Sequence, residues 1–256
     1  LQFSSLGSGS KGNGTLVRYR DCTLLVDCGF TLKETEKRLK SLGVAPEEID
    51  GVIVTHEHGD HINGVGPFAR RHKSTVYMTP GTFRARDIGQ LPSVELIKQY
   101  APFSIKGITV HPVAVPHDAM EPAQYVFEAG DKRLGILTDL GSITPHIEDR
   151  YSGCDALILE ANHDPLMLAS GPYPPSLKDR VGGAWGHLSN QQAATLLERV
   201  VCSRLKHVVV AHISEKNNSI ALAREKLNHI ALSEEQVTYA SQNEGFDWID
   251  LLQAAS

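Results

Sequence analysis

Residues 55–61 read Thr-His-Glu-His-Gly-Asp-His and directly follow the apolar run Val52-Ile53-Val54. Three imidazoles and a carboxylate in so short a stretch, at a strand's end, are donor types that divalent transition-metal ions accept. Alternate side chains of an extended segment face the same way, so His56 and His58 can grip one ion together. Gly59 has a permissive backbone at which the chain can turn, sending Asp60 and His61 toward a second position. The competing reading is a solvated loop that happens to be rich in histidine. The rest of the chain argues against it.

Four apolar runs stop at a His or Asp. Residues 52–54 run into His56, 108–115 into Pro116-His117, 134–137 into Thr138-Asp139, and 208–211 into His212. Layered α/β proteins assemble sites at such strand ends. The candidate ligands His56, His58, Asp60, His61, His117, Asp139 and His212 include no cysteine. That set disfavours a structural zinc site and suits Zn, Mn or Fe. It is too large for one divalent metal ion and right for two. His56, His58 and His117 would hold the first, Asp60, His61 and His212 the second, with Asp139 bridging. Two ions roughly 3.5–4 Å apart activate water at neutral pH and stabilise attacking and leaving oxygens alike. The expected chemistry is hydrolysis of an ester or phosphodiester, with Asp60 also orienting the nucleophile.

The elements that must position these residues are short strands alternating with helices. Residues 15–19 and 23–27 read as a hairpin. Thr31-Leu32-Lys33-Glu34 reads as a capping box opening a helix that Gly43 ends. A second box, Ser189-Asn190-Gln191-Gln192, opens another, with Ala193, Leu196, Leu197, Val200 and Val201 at helical spacing. Residues 167–183, with Pro172, Pro174 and Pro175, read as a surface excursion that could cover the site.

The 256 residues are 41% hydrophobic and 21% charged, an ordinary globular balance that can bury a large core. A single catalytic domain over residues 1–256 is expected. No apolar run approaches the roughly 18–20 residues that span a bilayer, so no membrane partner is expected. Leu1-Gln2-Phe3-Ser4-Ser5 has no signal-peptide pattern, and the missing starting methionine leaves room for an upstream segment. Cys22, Cys28, Cys154 and Cys202 form no CxxC and read as reduced thiols of a cytoplasmic protein. A net charge of −5 argues against sequence-independent coating of nucleic acid, though metal ions can neutralise a reacting phosphate locally. The basic clusters Arg70-Arg71-His72-Lys73, Arg84/Arg86 and Lys178/Arg180 read as solvated faces.

The order His56-x-His58-x-Asp60-His61, then His117, Asp139 and His212, resembles the metallo-β-lactamase superfamily across nearly the whole chain. The resemblance implies an α/β fold, a four-layer αββα sandwich with a dinuclear site at one edge. The opening Ser5-Leu6-Gly7-Ser8-Gly9-Ser10-Lys11-Gly12-Asn13, the stretch Glu160-Ala161-Asn162-His163-Asp164 and Trp185-Gly186-His187-Leu188-Ser189-Asn190 are similar to the YycJ-type branch. So is Ala211-His212-Ile213-Ser214 with Asn217-Asn218. That branch is related to ribonucleases Z and J and to PhnP-like enzymes. Its members are regarded as metal-dependent nucleases that act from a 5′ end, with a link to DNA repair. A 5′→3′ exonuclease on single-stranded or 5′-phosphorylated DNA or RNA is therefore implied. The alternatives are a small-molecule or cyclic-nucleotide phosphodiesterase and, from another class, a non-catalytic metal or nucleotide binder. A complete ligand set speaks against the last. There is no room for the inserted domain of the ribonuclease J group, and a homodimer fits a domain this small.

Four residues outside the ligand set are candidates for substrate contact. His187, before a helix, could present its ring to a phosphate and serve catalysis with Asp60. Ser189 could join it with the helix amides, or merely cap the helix. Asn13 in the glycine-rich loop could touch an anion, and His163 could face substrate or be structural. Glu160 ends residues 156–159 and could steady a ligand from behind or be an ordinary buried carboxylate. His72, His111, His146, His207 and His229 read as structural or exposed.

Overall fold

The computed structural model describes residues 1–227, 230 and 233–251; His229 lies outside them. Strands form where apolar and β-branched residues alternate. The first sheet is built from β1 (Gln2–Gly7), β2 (Gly14–Tyr19), β3 (Cys22–Val26), β4 (Gly51–Ile53), β5 (Thr75–Met78) and β6 (Ser93–Leu96). The second contains β7 (Phe103–Ile105), β8 (Ile108–Ala114), β9 (Ala123–Ala129), β10 (Lys132–Leu137), β11 (Ala156–Glu160), β12 (His207–Ala211) and β13 (Val237–Tyr239). The last strand, β14 (Phe246–Asp250), returns to the first sheet and pairs with β1. The strand orders are β14-β1-β2-β3-β4-β5-β6 and β13-β12-β11-β10-β9-β8-β7.

Each sheet changes character part-way. β1, β2 and β3 are antiparallel, and β3, β4, β5 and β6 are parallel. In the second sheet β7 to β10 are antiparallel, and β10 to β13 are parallel. Parallel neighbours end on the same side, so their carboxyl ends deliver side chains to one edge.

The period of two in each strand sorts side chains between cores. Leu24 and Val26 point between the sheets with Ile53, Tyr125, Phe127, Ile136 and Ile158. Leu25 points outward with Leu16, Val52 and Val76, beneath Leu39 of α1 (Leu32–Ser41). Past α2 (Gly59–Ile62), Val65 and Phe68 of α3 (Val65–His72) complete that cover. The outer face of the second sheet is covered through Ile147, Leu196 and Ala223. These come from elements that follow α4 (Pro80–Ala85): α5 (Pro145–Tyr151), then, after α6 (Pro165–Ser170) and α7 (Pro175–Val181), α8 (Asn190–Val200) and α9 (Ile220–Leu227). The result is the four-layer αββα sandwich. Among the described residues no helix is long and apolar enough to cross a membrane.

The hairpin pairs Tyr19 with Cys22 as the sequence suggested, but Asp27 falls just outside it with φ 61°. Of the two capping boxes read from the sequence, the one at Ser189 is complete. At Thr31 the hydroxyl does accept from Glu34 N, but the Glu34 carboxylate turns forward to Arg38 Nε at 2.8 Å. An i,i+4 pair outcompetes the return arm of the box. The excursion over 167–183 carries the end of α6 and all of α7.

Candidate metal centre

Both sheets deliver the sequence's candidate ligands to one edge. β4 leads into His56, His58, Asp60 and His61; β8 leads to His117, β10 to Asp139 and β12 to His212. Donor atoms of His56, His58 and His117 lie within 4.8 Å of one another, as do those of Asp60, His61 and His212. His56, His61 and Asp139 form a third such set, linking the two. All seven sequence-named residues therefore converge.

The ring orientations follow from what each second nitrogen touches. His56 Nδ1 donates to Thr55 Oγ1 at 2.9 Å, His117 Nδ1 to the Gly186 carbonyl at 3.0 Å, and His58 Nε2 to the Asp118 carbonyl at 3.2 Å. The free atoms, His56 Nε2, His117 Nε2 and His58 Nδ1, face inward, and the last two are 3.2 Å apart. In the second group His61 Nδ1 donates to Asp27 Oδ2 at 2.8 Å, leaving Nε2 3.5 Å from Asp60 Oδ2 and 3.3 Å from Asp139 Oδ2. His212 Nδ1 sits 3.1 Å from Asp139 Oδ1, and its Nε2 is 3.8 Å from Asp60 Oδ2.

The buried atoms of this cluster that make no hydrogen bond with any described residue include His56 Nε2 and Asp139 Oδ2. An orphaned buried lone pair costs free energy unless something electropositive meets it. An imidazole and carboxylate set with orphaned inward lone pairs fits divalent metal, and this is a divalent-metal-binding centre. Asp139 and His212 also hold φ of 62° and 52°, left-handed conformations that persist where surrounding structure enforces them.

Electrostatics split the cluster. Burial, together with the neighbouring imidazoles, pushes His56 well below its ordinary pKa, and burial lowers His117. Burial also opposes charge on His61 and His212, but carboxylates outweigh it there. Asp139, Asp60 and Asp27 raise His61 well above its usual value, and Asp139 with Glu160 raises His212 to about 10. His56 and His117 are thus neutral and ready to ligate, while His61 and His212 hold protons against their acids.

The glycine-rich loop between β1 and β2 is a buttress. Ser8 Oγ accepts from His212 N at 2.9 Å, and Asn13 N donates to the Asp60 carbonyl at 2.7 Å. Asn13 Nδ2 reaches Asp60 Oδ2 at 3.2 Å and lies 3.1 Å from His61 Nε2. Asn13 is buried and is not among the residues that line the cavity. His163 and Ser189 are likewise buried and off the cavity wall. Ser189 spends its hydroxyl on Gln192, because an N-cap must satisfy the first helical amides.

His187 does line the cavity. Its Nδ1 donates to Glu160 Oε1 at 2.7 Å, while Glu160 Oε2 accepts Leu188 N at 3.0 Å and Leu140 N at 3.2 Å. Glu160 Oε1 is also 3.3 Å from His212 Nδ1, so this buried carboxylate steadies two rings. Burial works against its ionisation, yet His187 and His212 bring its pKa down to about 2. Burial would lower His187 too, but Glu160 raises it.

The sequence reading missed Asp27, Thr55, Asp118 and Arg180. Asp27 accepts from Thr55 N, Thr55 Oγ1 and His61 Nδ1, so it holds His56 through Thr55 and His61 directly. Its signal was its place at a strand's end, the same signal that exposed the ligands. Asp118 and Arg180 form an ion pair on the cavity wall, so the Lys178/Arg180 cluster is not merely a solvated face. The cavity holds about 370 Å³.

Residues 23–213 match the family model described as the beta-lactamase superfamily domain. The chain is 37% identical over 233 residues to exodeoxyribonuclease YycJ of Bacillus anthracis, covering 88% of this chain and 86% of that one. It is 33% identical over 229 residues to exodeoxyribonuclease WalJ of Streptococcus pneumoniae, covering 87% and 85%. Among solved structures, the metallo-β-lactamase-fold protein YhfI of Bacillus subtilis superposes with a TM-score of 0.75 at 17% identity, covering 97% of this chain and 98% of that one.

Proposed function

The chain belongs to the beta-lactamase superfamily, and from that membership we propose that it is a dinuclear 5′→3′ exonuclease acting on DNA. At the coarser level it is a metal-dependent hydrolase. The observation that carries the nuclease reading is the His187–Glu160 pair beside the ligand cluster: a proton-bearing ring held on the cavity wall next to the metal centre. The choice of DNA is supported by YycJ and WalJ, both named exodeoxyribonucleases and matched over more than four-fifths of each chain.

In this reading His56, His58 and His117 would hold one ion and Asp60, His61 and His212 a second, with Asp139 available to both; zinc or manganese would suit these donors, and iron would be compatible. When bound, such ions supply Lewis acidity toward a phosphoryl oxygen and an activated water. The protein does the rest. Asp60, tethered by Asn13, orients the nucleophile. Glu160 takes the Nδ1 proton of His187 in a hydrogen bond, which fixes the tautomer and leaves Nε2 toward the cavity. A proton at His187 Nε2 then passes to the leaving oxygen. Asp27 and Thr55 keep the His56 and His61 rings aimed throughout.

The second reading is a small-molecule or cyclic-nucleotide phosphodiesterase. The cavity of about 370 Å³ favours it, since that volume lies at the small-ligand end of the roughly 300–1,000 Å³ range of binding pockets. The deciding experiment is nucleotide release from 5′-phosphorylated single-stranded DNA by manganese-loaded protein. Asp139→Asn serves as the blank, because asparagine tolerates the left-handed backbone at this position. Stepwise mononucleotide release by the wild type alone is expected. Hydrolysis of small or cyclic diesters with none of DNA or RNA would replace this proposal with the second reading.

A further inference from the structure

One wall of the cavity takes no part in metal binding. The strap from Gly171 to Gly186 carries α7, and its Tyr173, Leu177, Arg180 and Val181 line the same space as Asp60 and Asp139. Arg180 is the only Lys or Arg among the described lining residues. It stands against three acids, Asp60, Asp118 and Asp139.

Arg180 is held by one edge. Its Nε donates to Asp118 Oδ2, and Asp118 is itself fixed: its N donates to the Trp185 carbonyl at 2.9 Å, and its own carbonyl accepts from His58 Nε2. The other carboxylate oxygen lies 3.5 Å from His117 Nε2. The Nη groups make no hydrogen bond with any described residue, and the side chain is 56% exposed. An ion pair this exposed contributes little to folding. Two free NH2 groups in a planar fork, oriented by a carboxylate anchored on the first ligand group, are what recognition of a phosphate requires.

Trp185 is on the same strap, one residue from the cavity-lining Gly186. It is 63% exposed, and its indole meets no ring, cation or hydrogen-bond partner among the described residues. Tyr173 has Lys216 Nζ 5.6 Å from its ring centroid. Exposed aromatic faces alternating with cations along a phosphodiester site form a stacking platform for unpaired bases.

We propose that this strap is the strand-holding wall of the site: Arg180 takes the phosphate next to the one that reacts, and Trp185 stacks on a neighbouring base. The inference rests on the phosphodiesterase reading above and selects single-stranded nucleic acid as the substrate class. Asp118 aims the guanidinium while the site is empty of strand and shares it once a phosphate arrives.

The test compares manganese-loaded wild type, Arg180→Ala, Arg180→Lys and Trp185→Ala on two substrates. One is a 5′-phosphorylated single-stranded oligonucleotide; the other is bis(p-nitrophenyl) phosphate, which has one phosphate and no base. Arg180→Ala should lose at least about tenfold more kcat/KM on the oligonucleotide than on the small diester, chiefly through KM. Its log KM against log salt should flatten by about 0.7, the share of one phosphate contact on a single strand. Arg180→Lys should recover part of the loss, and Trp185→Ala should raise the oligonucleotide KM about tenfold. Equal losses on both substrates, or an unchanged salt slope, would overturn the inference while the nuclease reading stands. A wild type that cleaves the small diester and no oligonucleotide would overturn the nuclease reading itself.

Discussion

Asp27 Oδ2 lies 2.8 Å from His61 Nδ1, and the same oxygen accepts the Thr55 hydroxyl that in turn holds His56. One buried carboxylate, outside the ligand set, therefore fixes the tautomer and direction of a ring in each half of the centre. Partners of this kind raise ligand basicity and orient rings, and their loss typically weakens metal binding about 10–100-fold. Asp27→Ala should do so while leaving the Thr55 hydroxyl and the His61 N–H without an acceptor. Asp27→Asn, which keeps an acceptor oxygen, should fall between. Competition against a chelator of known affinity measures this; unchanged affinity in Asp27→Ala would remove Asp27 from the centre.

Gly29 predicts the opposite of the usual glycine effect. At compatible positions Gly→Ala stabilises by about 0.4–1 kcal/mol. A Cβ on Gly29, however, would sit 1.7 Å from the Asp60 carbonyl oxygen and 2.9 Å from Asn13 N, both backbone atoms. The loop carrying Asp60 must move or the chain must not fold. Gly29→Ala should lower Tm and metal content together. A variant with raised Tm and full metal content would contradict this packing.

These two residues also show where the sequence runs out. The convergence of the seven candidate ligands was legible because four apolar runs lead into them, and parallel strands end at one edge. The αββα layering came only through the family resemblance that the ligand order carries. Asp27 carried the same strand-end mark but belongs to no spacing motif, and its bond to His61 spans 34 positions. Asn13, His163 and Ser189 looked like substrate residues because they flank motifs. Burial, which one sequence does not display, put them behind the wall. Arg180 was hidden in the other direction: α7 turns a charged residue from an apparent solvent face into the cavity.

His187 should matter to turnover rather than to metal loading. His187→Ala is expected to lower kcat by roughly 10²–10⁴-fold, the usual range for a general acid, with metal content retained. The companion variant is Glu160→Gln. Burial lowers the His187 pKa and the Glu160 charge raises it above the ordinary value. Removing that charge lets burial win, so His187 loses its proton at lower pH. The basic limb of the kcat profile should shift to lower pH in Glu160→Gln. A limb that stays in place, with kcat reduced uniformly, would assign Glu160 a packing role only.

The two halves of the centre should load differently. Burial keeps His56 and His117 neutral, so their inward lone pairs are available at neutral pH. His61 and His212 face carboxylates, which hold their pKa values up, to about 10 for His212. An ion can take His61 Nε2 and His212 Nε2 only by displacing the protons those carboxylates retain. Displacement makes affinity rise with pH, about tenfold per unit for each proton released, until the metal-free pKa is passed. The first ion should therefore bind with little proton release and a shallow pH dependence. The second should release on the order of one to two protons near pH 7 and tighten up to about pH 10. Titration calorimetry of metal-free protein, repeated in buffers of different ionisation enthalpy, counts protons for each step. Equal release in both steps would mean that the carboxylates do not divide the cluster into a ready half and a protonated half.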